Sequence, residues 1–176
     1  NEIFKIIKNL EPSWRNELEI TDALQILLET KKRISYNTIT KYWKDTGTVE
    51  DIIDANKIIL ENSESYCRTK NNLDYKQTDK IMIGNNVKFG NNVSLHGPLI
   101  IGDNCKIEKC ILGPNVSIGN NTELSECKIQ NSIIMENVTI KSKINLNNSI
   151  ISYNNKITTE NKEKSLILCE DSQLEL

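Results

Sequence analysis

The stretch Ile83-Gly84-Asn85-Asn86-Val87-Lys88-Phe89-Gly90-Asn91-Asn92-Val93 holds two near-copies of one phrase. The phrase returns as Ile101-Gly102-Asp103-Asn104-Cys105, Leu112-Gly113-Pro114-Asn115-Val116 and Ile118-Gly119-Asn120-Asn121-Thr122. Bulky apolar anchors continue the count at Leu95, Ile107, Leu124, Ile129, Ile134, Ile140, Leu146, Ile151 and Ile157, in steps of five or six residues. A period near six fits neither a helix nor a free-standing strand. It fits a chain in which each short strand turns one large residue inward and the next few residues round a corner. Three such hexads close a coil of about 18 residues, and coils must stack because none can bury its apolar faces alone. Glycine and asparagine suit the corner through their tolerance of left-handed backbone angles, and the Val, Cys or Thr four places after an anchor fills the inner corner. Anchors 83, 101, 118, 134 and 151 lie 18, 17, 16 and 17 residues apart, which predicts about four coils. The pattern fades after Ile157: Thr158 to Lys164 is polar, and Ser165 to Cys169 reads as a last apolar strand covering the open end.

Working outward, the 176-residue chain contains 27 Ile and 24 Asn, and the Asn concentrate in this repeat. Net charge is −2, with 12 Lys/Arg against 14 Asp/Glu in residues 1–79 and 10 against 10 beyond, so neither half has the basic excess that attracts nucleic acid. No apolar run reaches the roughly 20 residues that cross a bilayer, and no signal peptide opens the chain, so a soluble cytoplasmic protein is expected, without nucleic-acid or membrane partners. The five cysteines form no C-x-x-C pair and read as reduced thiols.

The first 62 residues have another character. Glu2 to Leu10 is a short amphipathic helical pattern ended by Pro12; Thr21 to Thr30 is a second helix with Leu24, Leu27 and Leu28 on one face. Ile34 to Thr40 alternates like a strand, which would set Asp45 at a strand's carboxyl end. Thr48 and Asp51 form a capping-box pattern, so a helix starts after Gly47 and carries Val49, Ile52, Ile53, Ile59 and Leu60 at helical spacing. Residues 63–79 hold little apolar content beyond Tyr66, Leu73 and Tyr75 and read as a mobile connector. The domains are therefore expected at 1–62, with connector 63–79, and 80–176.

Residues 80–160 resemble the hexapeptide-repeat left-handed β-helix of acyltransferases and of the C-termini of sugar nucleotidyltransferases; the left hand comes from that resemblance. The run Pro12-Ser13-Trp14-Arg15-Asn16-Glu17-Leu18-Glu19-Ile20-Thr21-Asp22-Ala23, followed by Trp43-Lys44-Asp45-Thr46-Gly47-Thr48-Val49-Glu50-Asp51, is similar to the closing portion of glucose-1-phosphate thymidylyltransferases, most of all the long form with a C-terminal β-helix. The fold class implied is mainly β: a left-handed parallel β-helix preceded by the C-terminal α/β part of a nucleotidyltransferase domain.

Such enzymes pass a nucleotidyl group from dTTP or UTP to glucose 1-phosphate or a related sugar phosphate and release pyrophosphate, with Mg²⁺ neutralising charge. By motif, the resemblance makes Asp45 a metal ligand and Arg15 a phosphate contact. Asn16 departs from the motif, which more commonly has Gly there. The seven glycines of this chain form no glycine-rich phosphate loop, and the second metal aspartate and the sugar-reading Glu-Lys segment are missing too. With Asn in first place, this gives the expectation of a C-terminal piece that does not transfer nucleotides alone. Trp14 and Trp43 read as packing residues.

His96, the only histidine, raises a different reading: an acyltransferase module using acetyl-CoA, with His96 as general base. A third reading is a structural trimerisation column. Flat coil faces that pack on copies of themselves predict a homotrimer or other homo-oligomer.

Overall fold

The computed structural model of the chain describes residues 2–40, 42–68 and 80–158, and the backbone of strands at 160–164, 167–168 and 173–175. It forms two compact units, Asn1–Trp43 and Lys44–Leu176.

In the first unit, helices α1 (Glu2–Ile7) and α2 (Ile20–Glu29) pack on each other. α1 stops short of Leu10 because Asn9 turns the chain, its side-chain amide donating to the Lys5 carbonyl at 3.0 Å. α2 buries Ala23 and Leu27, whereas Leu24 and Leu28, expected on the same face, stay exposed. The strand expected over Ile34 to Thr40 is absent. Strand backbone needs a paired neighbour, none of the three sheets includes this segment, and Tyr36 and Ile39 are exposed.

In the second unit, helix α3 (Val49–Asn62) begins as its sequence dictates. The Asp51 amide donates to Thr48 Oγ1 at 3.2 Å, and the Thr48 amide donates back to Asp51 Oδ2 at 3.1 Å. Beyond it the chain winds into a parallel β-helix of the hexapeptide-repeat, left-handed kind, with three sheets. The first contains β1 (Tyr66–Cys67), β2 (Ile81–Ile83), β5 (Leu99–Ile101), β8 (Val116–Ile118), β11 (Ser132–Ile134), β14 (Ile150–Ile151) and β17 (Ile167–Leu168). The second contains β3 (Lys88–Phe89), β6 (Lys106–Glu108), β9 (Glu123–Ser125), β12 (Thr139–Lys141), β15 (Lys156–Thr158) and β18 (Gln173–Glu175). The third contains β4 (Ser94–Leu95), β7 (Ile111–Leu112), β10 (Lys128–Gln130), β13 (Lys143–Asn147) and β16 (Glu160–Lys164).

Register follows the anchors: Ile83 pairs with Ile101, Ile101 with Ile118, Ile118 with Ile134, and Ile134 with Ile151. Every anchor from Ile83 to Ile157 is buried except Phe89, which is partly so. The column has about five coils rather than four, because the sheets continue past Ile157: Ile151 pairs with Leu168 and Ile157 with Leu174. Of the expected last strand, Ile167–Leu168 is seen in the first sheet, while 165, 166 and 169 lie outside the described residues, as do 69–79 of the expected connector.

The corners divide their labour differently from the sequence reading. Asn holds the left-handed angles: Asn86, Asn104, Asn121, Asn137 and Asn154 have φ between 56° and 59°. Their side-chain amides form a ladder, each donating to the Oδ1 of the next at 3.1–3.3 Å. Glycine is needed two places earlier for closeness. A Cβ on Gly102 would sit 2.8 Å from the Asn120 nitrogen, and one on Gly119 would sit 2.6 Å from the Glu136 nitrogen.

The outer side of the first sheet is apolar as well. Alternation turns Met82, Ile100, Ile133 and Ile150 outward, yet Met82 and Ile150 are buried. α3 lies there against β8 and β11, with Leu60 only 2% exposed. Ile52 and Ile59, two of the apolar residues at helical spacing on α3, are exposed. Among the described residues, no helix is long and apolar enough to cross a membrane.

Candidate functional site

Arg15 lies in the turn between α1 and α2. The Ser13 amide donates to the Glu17 carbonyl at 2.8 Å and the Asn16 amide to Ser13 at 2.8 Å, and Asn16 takes φ 61°. That is the left-handed angle which Gly adopts freely and Asn tolerates, so the turn keeps its shape where the motif changes residue. Arg15 donates from Nη2 and Nε to Glu19 Oε1 at 2.8 and 3.2 Å, and its guanidinium lies 5.8 Å over the Trp14 ring. Arg15 and Ser13, both hydrogen-bonded to Glu19, hold its carboxyl below the usual range. Glu19 is also the N-cap of α2, and with its carboxylate engaged this way it makes no cap hydrogen bond.

Asp45 sits in the irregular segment before α3, exposed, in the second unit. Its neighbour Lys44 decides how this segment is held: Nζ pairs with Asp51 Oδ1 at 3.0 Å and Asp54 Oδ2 at 2.9 Å. Hydrogen bonds to Asp54 and then Asp51 push the Lys44 pKa up, and hydrogen bonds from Thr48 and then Lys44 hold Asp51 down. The lysine thus clips the Trp-Lys-Asp-Thr-Gly segment to the first turns of α3. Sequence reading passed over Lys44; the signal was an acidic pair at Asp51 and Asp54, one helical step apart on the following helix. The Asp45 carboxylate has no hydrogen bond or ion pair among the described residues, and no cluster of three or more metal-ligating side chains exists among them. One free hard carboxylate suits a Mg²⁺ ion that draws its other oxygens from phosphates and water. Trp14 and Trp43, expected to pack, are 92% and 70% exposed, because each sits in an irregular segment.

His96 is exposed at the third-sheet face, its Nε2 3.1 Å from Ser94 Oγ. It shares no hydrogen bond with Asp45.

A feature the sequence did not disclose lies on the outer face of the second sheet: a hollow of about 520 Å³ between Lys88, Phe89, Lys106, Glu123 and Lys141. Glu123 bridges Lys106 at 2.5 Å and Lys141 at 3.2 Å, and those two ammonium groups, Lys106 first, hold its carboxyl below the usual range.

Residues 1–62 match the family model for nucleotidyl transferases, and residues 95–175 match that of the GMPPB C-terminal domain. The chain is 32% identical over 118 residues to glucose-1-phosphate thymidylyltransferase of Streptomyces griseus, covering 65% of this chain and 32% of that one. It is 54% identical over 59 residues to the low-salt glycan biosynthesis nucleotidyltransferase Agl11 of Haloferax volcanii, covering 34% and 16%. To the bifunctional protein GlmU of Methanococcus aeolicus it is 32% identical over 108 residues, covering 61% and 22%. The chain spans about a third or less of the length of these relatives. A nucleotidyl transferase match over residues 1–62 that runs into a β-helix matched over residues 95–175 fits a nucleotidyltransferase with a C-terminal β-helix.

Proposed function

We propose that the chain serves a sugar-1-phosphate nucleotidyltransferase in the cytoplasm, one that transfers a nucleotidyl group from dTTP or UTP to glucose 1-phosphate or a related sugar phosphate and releases pyrophosphate. The observation that carries this reading is the geometry of the Lys44–Asp51 segment: an unpaired Asp45 carboxylate held beside a capped helix by the Lys44 clip. Bound Mg²⁺ would neutralise charge on the triphosphate, and Asp45 is the residue that would hold it. Arg15 presents a guanidinium to phosphate; Glu19 occupies part of it and fixes its direction. The β-helix gives the enzyme its oligomer, a trimer, by packing coil faces together.

Nucleotidyl transfer is favoured over acyl transfer because residues 1–62 match nucleotidyl transferases, whereas His96 is an exposed ring with no carboxylate hydrogen-bonded to it among the described residues. The test is a chimera in which this chain replaces the matched C-terminal part of the Streptomyces griseus thymidylyltransferase. It should release pyrophosphate from dTTP and glucose 1-phosphate, and Asp45→Asn should lower that rate about 100-fold. A chimera indifferent to Asp45→Asn refutes the assignment. Light scattering that finds only monomers at micromolar concentration refutes the trimer.

A further inference from the structure

Cys110 and Cys127 occupy the same corner of consecutive coils. Ile111 pairs with Lys128 and Leu112 with Ile129, so the residue before each strand stands directly on its counterpart seventeen positions later. The Ile111 amide donates to the Cys127 carbonyl at 3.0 Å and fixes the two backbones together. Both side chains are buried, at 0% and 3% exposure, and their sulfurs lie 3.4 Å apart.

Strands in a sheet lie about 4.8 Å apart, inside the range of about 4.4–6.8 Å between Cα atoms that a disulfide bridges. The backbone already has the required spacing. Only the sulfurs must close, by about 1.4 Å from 3.4 Å to the bonded length of about 2.05 Å, which small side-chain rotations supply. The third buried cysteine differs: Cys105 Sγ donates to the Gly119 carbonyl at 3.2 Å, at another corner.

We propose that Cys110 and Cys127 form an oxidation site that closes into a disulfide between adjacent coils when the chain meets a peroxide. The hydrogen bond the two sulfurs share at 3.4 Å draws the Cys110 thiol below its ordinary range and pushes Cys127 well above it, which assigns the attacking thiolate to Cys110. Its thiolate attacks one peroxide oxygen and breaks the O–O bond; with hydrogen peroxide this gives a sulfenic acid and, after protonation of the leaving hydroxide, one water. Cys127 then attacks the sulfenic sulfur, its proton leaves with the displaced hydroxyl as a second water, and the S–S bond forms. Two thiols are oxidised by two electrons and the peroxide is reduced by two. The bond joins the coil holding β7 to the coil holding β10. Because both sulfurs are buried, the reaction waits on local opening of that corner and is slow.

The test uses the full chain carrying Cys67→Ser and Cys169→Ser, dilute, exposed overnight to hydrogen peroxide, then alkylated under denaturing conditions and digested. The expected product is a monomer lighter by two hydrogens, whose Cys110 and Cys127 peptides are joined until a thiol reductant separates them. Its thermal midpoint should rise by several degrees over the reduced chain. Cys110→Ala in the same background should abolish the link. Alkylation of both cysteines after oxidation, sulfinic or sulfonic acid without a link, or a link to Cys105 instead would each overturn the proposal.

Discussion

Ser117 on the outer side of β8 donates its hydroxyl to Asn56 Oδ1 of helix α3 at 2.5 Å. The bond fastens the last helix of the nucleotidyl transferase match to the β-helix. Asn56 Nδ2 is buried beside it with no partner among the described residues. Ser117→Ala should cost about 1–3 kcal/mol in urea unfolding, since it strands a second polar atom. The double variant Ser117→Ala with Asn56→Leu should be neutral or stabilising in the same assay, because it removes both partners together with the unsatisfied amide. Equal losses in both variants would show that the bond does not matter.

Gly119→Ala should destabilise by about 1–3 kcal/mol, because the new methyl meets the backbone of the next coil, which cannot yield without disturbing a paired strand. Gly47 has open space around its Cβ position, so Gly47→Ala should stay within about 0.5 kcal/mol. Paired denaturation curves give the comparison.

Asn121 sits at φ 56° in the amide ladder. Asn121→Val combines a β-branched side chain with a left-handed backbone and should lose about 1–2 kcal/mol or more. Asn121→Gly should lose less, since it gives up only the amide ladder. The reverse order in thermal melts would contradict the division of roles at the corners.

Stability should fall at acid pH. The Asn85 backbone amide donates to Asp103 Oδ1 at 2.7 Å and, with the Asn85 side chain, holds that carboxyl below its ordinary value. A group depressed in the folded state stabilises it at pH above the unfolded value of about 3.9 and loses that contribution as pH drops through the folded value. Glu19 and Glu123 shift the same way and add to the effect. The urea midpoint should therefore decline between about pH 5 and pH 2. Asp103→Asn keeps an acceptor and should flatten the curve; an unchanged slope would remove Asp103 from the account.

The repeat was legible because one rule, a large apolar residue about every six positions, acts at every coil, and the anchors from Ile83 to Ile157 obey it. The capping box was legible for a similar reason: Thr48 and Asp51 are local partners. What escaped depends on contacts made across the chain. Ile133 looks like a spare apolar residue until α3 is laid against its strand. The missing strand at Ile34 to Thr40 has alternation but no neighbour to pair with, and alternation alone forms no sheet. Of the proposed site, Asp45 and Arg15 were candidates through their motifs. The Lys44 clip was not, because its partners Asp51 and Asp54 come into reach only when α3 forms. The hollow beside Phe89 needs Lys88, Lys106, Glu123 and Lys141 to share one face, which the stacking register brings about.

Anchor spacings of 18, 17, 16 and 17 residues, joined to a strictly parallel register, make the column extensible like a stack of rings. Each ring lifts the chain by about 4.8 Å and touches only the rings above and below. Cutting out residues 118–133 would bring Ile134 into the place of Ile118 and leave a shorter rod of unchanged cross-section. Gain or loss of whole rings is thus the change in size that this architecture tolerates best, while a one-residue slip inside a strand would turn that strand's isoleucine off the axis.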